Sequence, residues 1–384
     1  MNFLRTRLLA ALVLLAGCAT GEAVTTSSDP DDEMARIEIT EVVVVDLDDE
    51  EASLDIWADP LERQYFATDT ANDIVDRHIG AVFDGEQYLE LTGINSARTS
   101  RDGINWVAQP TTGFDGVDDT RGLATSNGIY ATVVWDFGTG QEAPRMLLAT
   151  STDFAAWTLR ELLVDDEIRS SMYPIDIAMS GNNVAVLLGT DSPDIAALVF
   201  DGAVGSDLNR AVIPGEGSPA SIVGVDGAFA IGMQVAGDTV PKTLVFTSPE
   251  PGVWEPTSPM PDNLSGELNS VGDSLVVTGW SQFDVEMFGA VSTDFGRSWE
   301  RTEIDQGMRD VVPGAGGLAS LSDGKLLFSR DGFDWVQIQA EPLVVDENSE
   351  SFVEVHLVAI GENELIVSRF EDTTNSYIAI ELSN

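Results

Sequence analysis

Cysteine and histidine are almost absent from this chain of 384 residues. Cys18 is the only cysteine, which excludes a disulfide within the chain, so stability must come from packing and hydrogen bonds. The two histidines, His78 and His356, each stand in a strand-like segment, where a packed or surface histidine is commoner than a metal ligand. We therefore predict no metal centre built on these residue types.

Basic residues are also scarce, with Lys242 and Lys325 as the only lysines. The chain carries 65 acidic against 19 basic residues and a formal net charge of −46 at pH 7. Such a field repels phosphate and anionic lipid headgroups and attracts cations or basic proteins. It excludes nucleic acid as a partner, and because salt screens self-repulsion, it is also consistent with a saline habitat.

Local motifs of phosphate binding and of serine hydrolases do not occur: there is no Gly-rich phosphate loop and no Gly-x-Ser-x-Gly elbow. The runs Asp46–Glu51 and Asp115–Asp119 are acid-dense enough to hold Ca²⁺, but neither matches an EF-hand loop. In so acidic a chain these runs usually form solvated turns. We predict no cofactor and no metal site, with Ca²⁺ as the one ion left open.

Only one apolar run stands out, Leu8 to Ala16 near the N-terminus, and it is too short to span a bilayer. It follows Arg5 and Arg7, an arrangement typical of an export signal. The sequence Leu15-Ala16-Gly17-Cys18 resembles the bacterial lipobox, which implies that Cys18 carries a lipid and anchors the protein to an envelope membrane on the exported side. The alternative is an ordinary secreted protein that is cleaved nearby.

These features divide the chain into three parts. Residues 1–17 are predicted to form a lipoprotein signal peptide, and residues 18–34, rich in Thr, Ser, Asp and Glu, a lipidated cysteine with a flexible acidic tether. Residues 35–384 contain no break in composition and are predicted to form one repeat domain. Residues 52–77 have no legible pattern.

A repeated motif organises this domain. The stretch Val291 to Trp299 has the pattern S-x-D-x-G-x-S-W, and degraded copies end at other tryptophans about 36 to 51 residues apart, a spacing that suits propeller blades. The copy at Trp254 has lost its Asp. Ser and Asp side chains bond to nearby backbone in tight turns, and Gly accepts positive φ, so these residues favour a structural role. The motif residues are Ser100, Asp102, Gly103, Trp106, Ser151, Asp153, Trp157, Trp254, Ser292, Asp294, Gly296, Trp299, Ser329, Asp331, Gly332 and Trp335.

The pattern resembles the Asp box of sialidase-like β-propellers, which forms the hairpin turn between the outer two strands of a blade. This resemblance implies an all-β propeller of four-stranded blades. Six copies of the unit are followed by three tail strands, and the early strand Ile37 to Val45 can complete their sheet. We therefore predict seven blades closed by an N-terminal strand, with six or eight as alternatives.

The sialidase resemblance does not extend to catalysis. A sialidase would need an arginine triad, a Tyr activated by Glu, and an Asp acid, and the family's Arg-Ile-Pro appears here only as Arg36-Ile37-Glu38. Tyr377 lies in a strand pattern, where a half-buried tyrosine is the simpler interpretation. We assign no catalytic residue and predict a monomeric, non-catalytic binding or scaffolding module for a glycan or protein partner. The alternatives are a sialidase-like glycoside hydrolase and an assembly factor that presents the ring to a basic protein.

The sequence also predicts where such a module binds. In each blade the first hairpin turn and the motif turn lie on one face, so the longer loops lie on the other. Trp135 and Trp280 fall at the ends of second strands and should open onto the loop side, where aromatic rings suit sugars. The competing interpretation is that they pack between blades. Acidic residues in the following loops complete the candidate face: Asp136, Asp191, Asp238 and Asp284.

Overall fold

The computed structural model describes residues 42–46, 81–93, 96–137, 144–164, 171–192, 194–215, 217–236, 241–261, 264–280, 287–304, 311–322, 325–338, 353–362, 364–371 and 374–381. Within these ranges the chain is all-β, with strands in seven four-stranded antiparallel sheets. No helix in the described part of the chain is long and apolar enough to cross a membrane. The predicted signal, Cys18, the tether, residues 52–77 and His78 lie outside the described residues.

The first four sheets, which we call blades 1 to 4, follow one another along the chain. Blade 1 comprises β2 (Val82–Phe83), β3 (Tyr88–Gly93), β4 (Ser96–Ser100) and β5 (Val107–Pro110). Blade 2 comprises β6 (Asp119–Ser126), β7 (Ile129–Asp136), β8 (Arg145–Ser151) and β9 (Thr158–Glu161). Blade 3 comprises β10 (Met172–Ser180), β11 (Asn183–Thr190), β12 (Ile195–Ala203) and β13 (Asn209–Pro214). Blade 4 comprises β14 (Ser218–Val225), β15 (Ala228–Val235), β16 (Lys242–Glu250) and β17 (Val253–Pro256).

Blades 5 to 7 complete the set. Blade 5 comprises β18 (Ser265–Val271), β19 (Ser274–Trp280), β20 (Met287–Ser292) and β21 (Glu300–Glu303). Blade 6 comprises β22 (Val311–Gly314), β23 (Gly317–Ser322), β24 (Lys325–Ser329) and β25 (Val336–Ile338). Blade 7 comprises β26 (Val353–Ile360), β27 (Glu364–Glu371), β28 (Thr374–Glu381) and β1 (Val42–Asp46).

The blades form a ring, and the N-terminal strand closes it. The first strands of successive blades are neighbours, and β2 of blade 1 also contacts β26 of blade 7. In blade 7 the strand order is β1-β28-β27-β26, with Val42 opposite Ile380 and Asp46 opposite Ser376. The prediction of seven blades closed by an N-terminal strand is therefore confirmed. The observed strand begins at Val42; residues 37–41 of the predicted one lie outside the described residues.

The hydrophobic core is divided into layers between adjacent blades. Strands buried on both faces, such as β11, alternate their side chains between the two neighbouring layers. The motif tryptophans lie in these layers and pack against the preceding blade: Trp157 is buried between blades 1 and 2, and Trp299 packs between blades 4 and 5. Packing between sheets thus holds the ring together.

Antiparallel order gives the ring two distinct faces. The turns between first and second strands and those between third and fourth strands lie on one side, which we call the turn face. At Asn127 and Gly128 the first kind of turn has φ of 53° and 69°, which suits the twist of a two-residue hairpin. The second strands end on the opposite side, which we call the loop face.

Candidate functional site

The end of strand β7 on the loop face of blade 2 has a fixed backbone. The N–H of Phe137 donates to Oδ2 of Asp118 at 2.7 Å, and the N–H of Asp118 donates to the carbonyl of Trp135 at 3.0 Å. Asp118 directly precedes the innermost strand of the same blade. The last residues of β7 are therefore held in place by two hydrogen bonds beyond the strand ladder, which positions the side chains that follow.

Two aromatic rings meet at this strand end. The ring centroids of Trp135 and Phe137 lie 4.7 Å apart at an interplanar angle of 39°. Trp135 packs against the core layer between blades 2 and 3, whereas 49% of Phe137 is exposed. The Trp135 indole N–H is buried and has no hydrogen-bond partner among the described residues. Trp135 thus supports the ring of Phe137 from below, and Phe137 presents an aromatic surface to solvent.

Between the two rings in the chain, Asp136 forms an ion pair with Arg145. The carboxylate is 6% exposed and accepts from Nε of Arg145 at 2.9 Å and from the neighbouring Nη2. About half of the Arg145 side chain, 48%, stays exposed. Leu163, which follows the outer strand of the blade, is 75% exposed. The loop face of blade 2 therefore combines an exposed ring, an exposed leucine and a guanidinium held by a buried carboxylate.

The other predicted face residues are only partly described. Trp280 is the last residue of β19, as the pattern predicts, and lies opposite Ser265 and Met287 in the sheet. Asp191 directly follows β11, is exposed, and its N–H donates to the carbonyl of Ser171 at 3.1 Å. Asp238 and Asp284 lie outside the described residues. The structure therefore brings Trp135 and Asp136 together with Arg145 and Phe137, the two neighbours that the sequence reasoning missed.

The motif turns lie on the turn face, opposite this site. In four of them the Ser hydroxyl donates to the Asp two residues later, as Ser292 does to Asp294 at 2.9 Å. The Asp in turn accepts one or two backbone N–H groups of the same turn. The hydroxyl and N–H of Ser298 hold the pKa of Asp294 down to about 2. These contacts fold each hairpin locally.

Glycine is required in these turns by close packing as well as by conformation. Gly332 has a φ of +83°, and a Cβ there would lie 2.5 Å from Val276 of the preceding blade. The indole N–H of Trp335 donates to the Gly332 carbonyl at 3.1 Å, and Trp106 makes the same contact to Gly103 at 2.9 Å. The described geometry therefore gives the motif residues a part in turn formation and blade packing.

The turn before Trp254 uses a carboxylate from another blade. Its own Asp is missing, but the indole N–H of Trp254 donates to Oδ2 of Asp201 in blade 3 at 2.9 Å, and Ser248 lies 3.5 Å from the same atom. Asp201 is fully buried, and this burial raises the pKa of its carboxyl. This interaction joins blades 3 and 4 through a charge that the sequence pattern did not reveal.

Tyrosine and glutamate meet in the structure, but not as an accessible pair. The hydroxyl of Tyr88 donates to Oε1 of Glu364 at 2.7 Å between blades 1 and 7, and burial of the fully enclosed Tyr88 raises its pKa. A raised pKa opposes formation of a phenolate nucleophile. Tyr377 lies in β28 opposite Val45 and Ser368, and His356 lies in β26 opposite Ser368.

Charged groups that a sialidase would need are already committed to partners. Three described arginines form ion pairs with carboxylates of their own blades: Arg98 with Glu90, Arg121 with Asp119, and Arg145 with Asp136. Within the described residues, no group of three or more His, Cys, Asp or Glu side chains is placed to hold a metal ion. In the run Asp115–Asp119, Asp118 and Asp119 instead bond to Phe137 and to Arg121.

Comparisons with known proteins bear on the fold. No protein-family model matches the chain, and no curated protein sequence matches it. Among solved structures, it is similar to the polysaccharide lyase Uly1 (11% identity, 82% of this chain and 92% of the other, TM-score 0.47) and to the Hadza microbial sialidase Hz136 (16%, 75% and 73%, 0.41). It is also similar to the β-propeller domain of the Trilobed protease from Pyrococcus furiosus (13%, 69% and 83%, 0.44). Similarity this low carries no argument about activity.

Proposed function

We propose that this protein is an envelope-anchored β-propeller lipoprotein of the sialidase-like, Asp-box type that binds a glycan or a protein partner without catalysis. The observation that carries this proposal is the strand end at Phe137. An exposed aromatic ring costs solvation unless it serves an interaction, and here its backbone and its supporting ring are both fixed. Preorganised aromatic groups of this kind are typical of binding surfaces.

The same site argues for binding rather than catalysis. The Asp136 carboxylate is neutralised by Arg145, and the Tyr88–Glu364 pair is buried between blades. Neither arrangement supplies an accessible base or nucleophile. The sialidase-like hydrolase stays the alternative, and a panel of aryl glycosides that includes sialosides tests it. Turnover that one carboxylate substitution abolishes would establish an enzyme and overturn the non-catalytic part of the proposal.

The binding experiment compares matched variants of the full chain. Phe137→Ala and Leu163→Ala alter exposed side chains on the loop face of blade 2, and Leu244→Ala alters an exposed leucine in β16 of blade 4. Capture of glycans from an array and of proteins from envelope extracts should fall for the first two variants and stay unchanged for the third. Equal capture by all three variants would place the binding surface elsewhere.

Anchoring rests on the lipobox-like sequence that ends at Cys18. A Cys18→Ser variant should lose incorporation of labelled fatty acid and partition into the aqueous phase of a detergent extraction. The matched control is the unchanged protein in the same cells. Unchanged membrane association of the variant would contradict the lipid anchor without affecting the proposed binding surface.

A further inference from the structure

We infer that the site on blade 2 selects an uncharged sugar ring and rejects acidic sugars such as uronates and sialosides. This inference rests on the proposed function and goes further, because it names the ligand class from the state of the charged groups. The deciding groups are Asp136, Arg145 and Phe137.

The Arg145 guanidinium is positioned as a hydrogen-bond donor whose charge is already balanced. Asp136, which holds it by two N–H groups, is almost fully buried, while half of the arginine side chain reaches the surface. A carboxylate on a ligand would have to compete with Asp136 for that guanidinium. Displacing Asp136 would leave a buried charge without its partner, which is strongly unfavourable. Hydroxyl groups need no such displacement, because they bond to the exposed edge of the pair.

The surroundings of the pair reinforce this selection. The nearby Arg121 is matched by Asp119 at 3.2 Å, and Asp118 lies at the same strand end. Across the whole chain 65 acidic residues oppose 19 basic ones. The local and the overall fields are therefore both unfavourable to an anion that approaches the loop face.

The aromatic part of the site matches the other half of a sugar's chemistry. A neutral pyranose has a C–H face that is apolar and a rim of hydroxyl groups. Phe137, supported by Trp135 at 4.7 Å, offers a flat apolar surface of suitable size, and the Asp136–Arg145 pair lies at the same strand end. One surface for the ring face and one polar pair for the rim are the minimum that orients a sugar.

The test uses the full-length protein and immobilised oligosaccharides in matched pairs. Each neutral glucose, galactose or mannose oligomer is compared with an analogue that carries a uronate or a sialic acid on the same core. The wild type should bind at least one neutral member about tenfold more tightly than its acidic analogue. Phe137→Ala should lower that affinity about tenfold, and Leu244→Ala should leave it unchanged.

The ion pair is tested by two further variants whose melting temperatures are measured in parallel. Asp136→Asn removes the balancing charge, so the preference for neutral over acidic analogues should shrink or reverse. The double variant Asp136→Leu, Arg145→Met avoids a buried unpaired charge and should lose neutral-sugar binding without gaining acidic-sugar binding.

Three results would overturn the inference. The first is preferential binding of the acidic analogues by the wild type, and the second is unchanged selectivity in Asp136→Asn. The third is a protein partner that is captured through Phe137 while every oligosaccharide fails to bind; the inference would then be wrong although the proposed binding function would stand. Loss of any Phe137-dependent capture together with glycoside turnover would reject the proposed function itself.

Discussion

The turns before Trp254 and Trp299 occupy equivalent places in adjacent blades but obtain their carboxylates differently. At Trp299 the carboxylate is Asp294, which belongs to the turn, is exposed, and is bonded by Ser292 and Ser298. At Trp254 it is Asp201, which belongs to the preceding blade, is fully buried, and accepts from the indole itself. The Trp299 indole N–H, by contrast, has no partner among the described residues.

The difference shows that location decides what a carboxylate does in this fold. Water and local donors stabilise the charge of Asp294 and lower its pKa, whereas burial disfavours the charge of Asp201 and raises its pKa. One turn is therefore a local unit, and the other is part of the contact between two blades. Loss of the Asp from the blade 4 motif is matched by a neighbour that the motif does not contain.

The largest expected effect separates the two tryptophans. Both Trp254→Ala and Trp299→Ala remove packing between blades and should cost about 3 to 5 kcal/mol of unfolding free energy. Trp254→Ala should cost about 1 to 3 kcal/mol more, because it also leaves the buried Asp201 without its indole donor. Urea denaturation of the two variants measures the difference. Equal costs would show that the Trp254–Asp201 hydrogen bond contributes nothing.

Substitution by phenylalanine isolates the hydrogen bond from the packing. Trp254→Phe should lose about 1 to 2 kcal/mol more than Trp299→Phe, since only the first removes an indole N–H that has an acceptor. Thermal melts of the pair at neutral pH provide the measurement. A larger loss at Trp299 would mean that its N–H has an acceptor that the described contacts do not include.

The pH dependence at Asp201 should have the sign of a raised pKa. Protonation of this carboxyl favours the folded state, so its contribution is present at low pH and is lost as pH rises through the folded pKa. Asp201→Asn stays neutral, and it should therefore be more stable than the wild type at pH 7 to 8, with the gain disappearing below about pH 4. Urea denaturation across this range tests it; a constant difference would contradict the argument.

Asp294 should behave in the opposite way. Its pKa is lowered to about 2, so its contribution to stability is present above about pH 4 and is lost as pH falls toward 2. Asp294→Asn should be less stable than the wild type at neutral pH, and the two proteins should converge near pH 2. If they differ by the same amount at both ends, the hydrogen bonds to the charged form are not the cause.

The smallest effect on stability is expected at an aromatic residue outside the blade layers. Phe137→Ala should change the unfolding free energy by no more than about 0.5 kcal/mol, because half of the ring is already exposed. Trp135→Ala should cost more, since its indole packs against the layer between blades 2 and 3. The two melts, compared with ligand capture, distinguish supporting from binding residues; a large loss at Phe137 would make it a core residue.

The architecture was open to prediction because it is encoded locally and repeatedly. Turn residues such as Asn127 and Gly128 have the conformations that their types favour, and the three tail strands require a fourth that only the early valine run supplies. The contact between Asp201 and Trp254 was not predictable in this way. It joins residues of different repeats, and nothing in either local sequence indicates that the two meet.

The candidate site was predicted only in part for a related reason. Sequence position places Trp135 at the end of a second strand on the loop face, and the structure agrees. Alternation along β7 does not tell which of two neighbouring aromatics the adjacent blade covers, and the covered one is Trp135 while Phe137 is exposed. Arg145 was missed because its pairing with Asp136 depends on the register between β7 and β8.

Closure of the ring by β1 sets the order of events during synthesis. Val42 leaves the ribosome among the first residues of the domain, but its partner Ile380 is among the last. Closing so long a loop carries an entropic cost that grows with the logarithm of its length, and such non-local pairing is slow. Until the final strand emerges, β1 and the outer edge of the incomplete blade both present unpaired backbone groups, which are exposed to wrong partners. The nascent chain thus depends on chaperone protection until its last few residues are made.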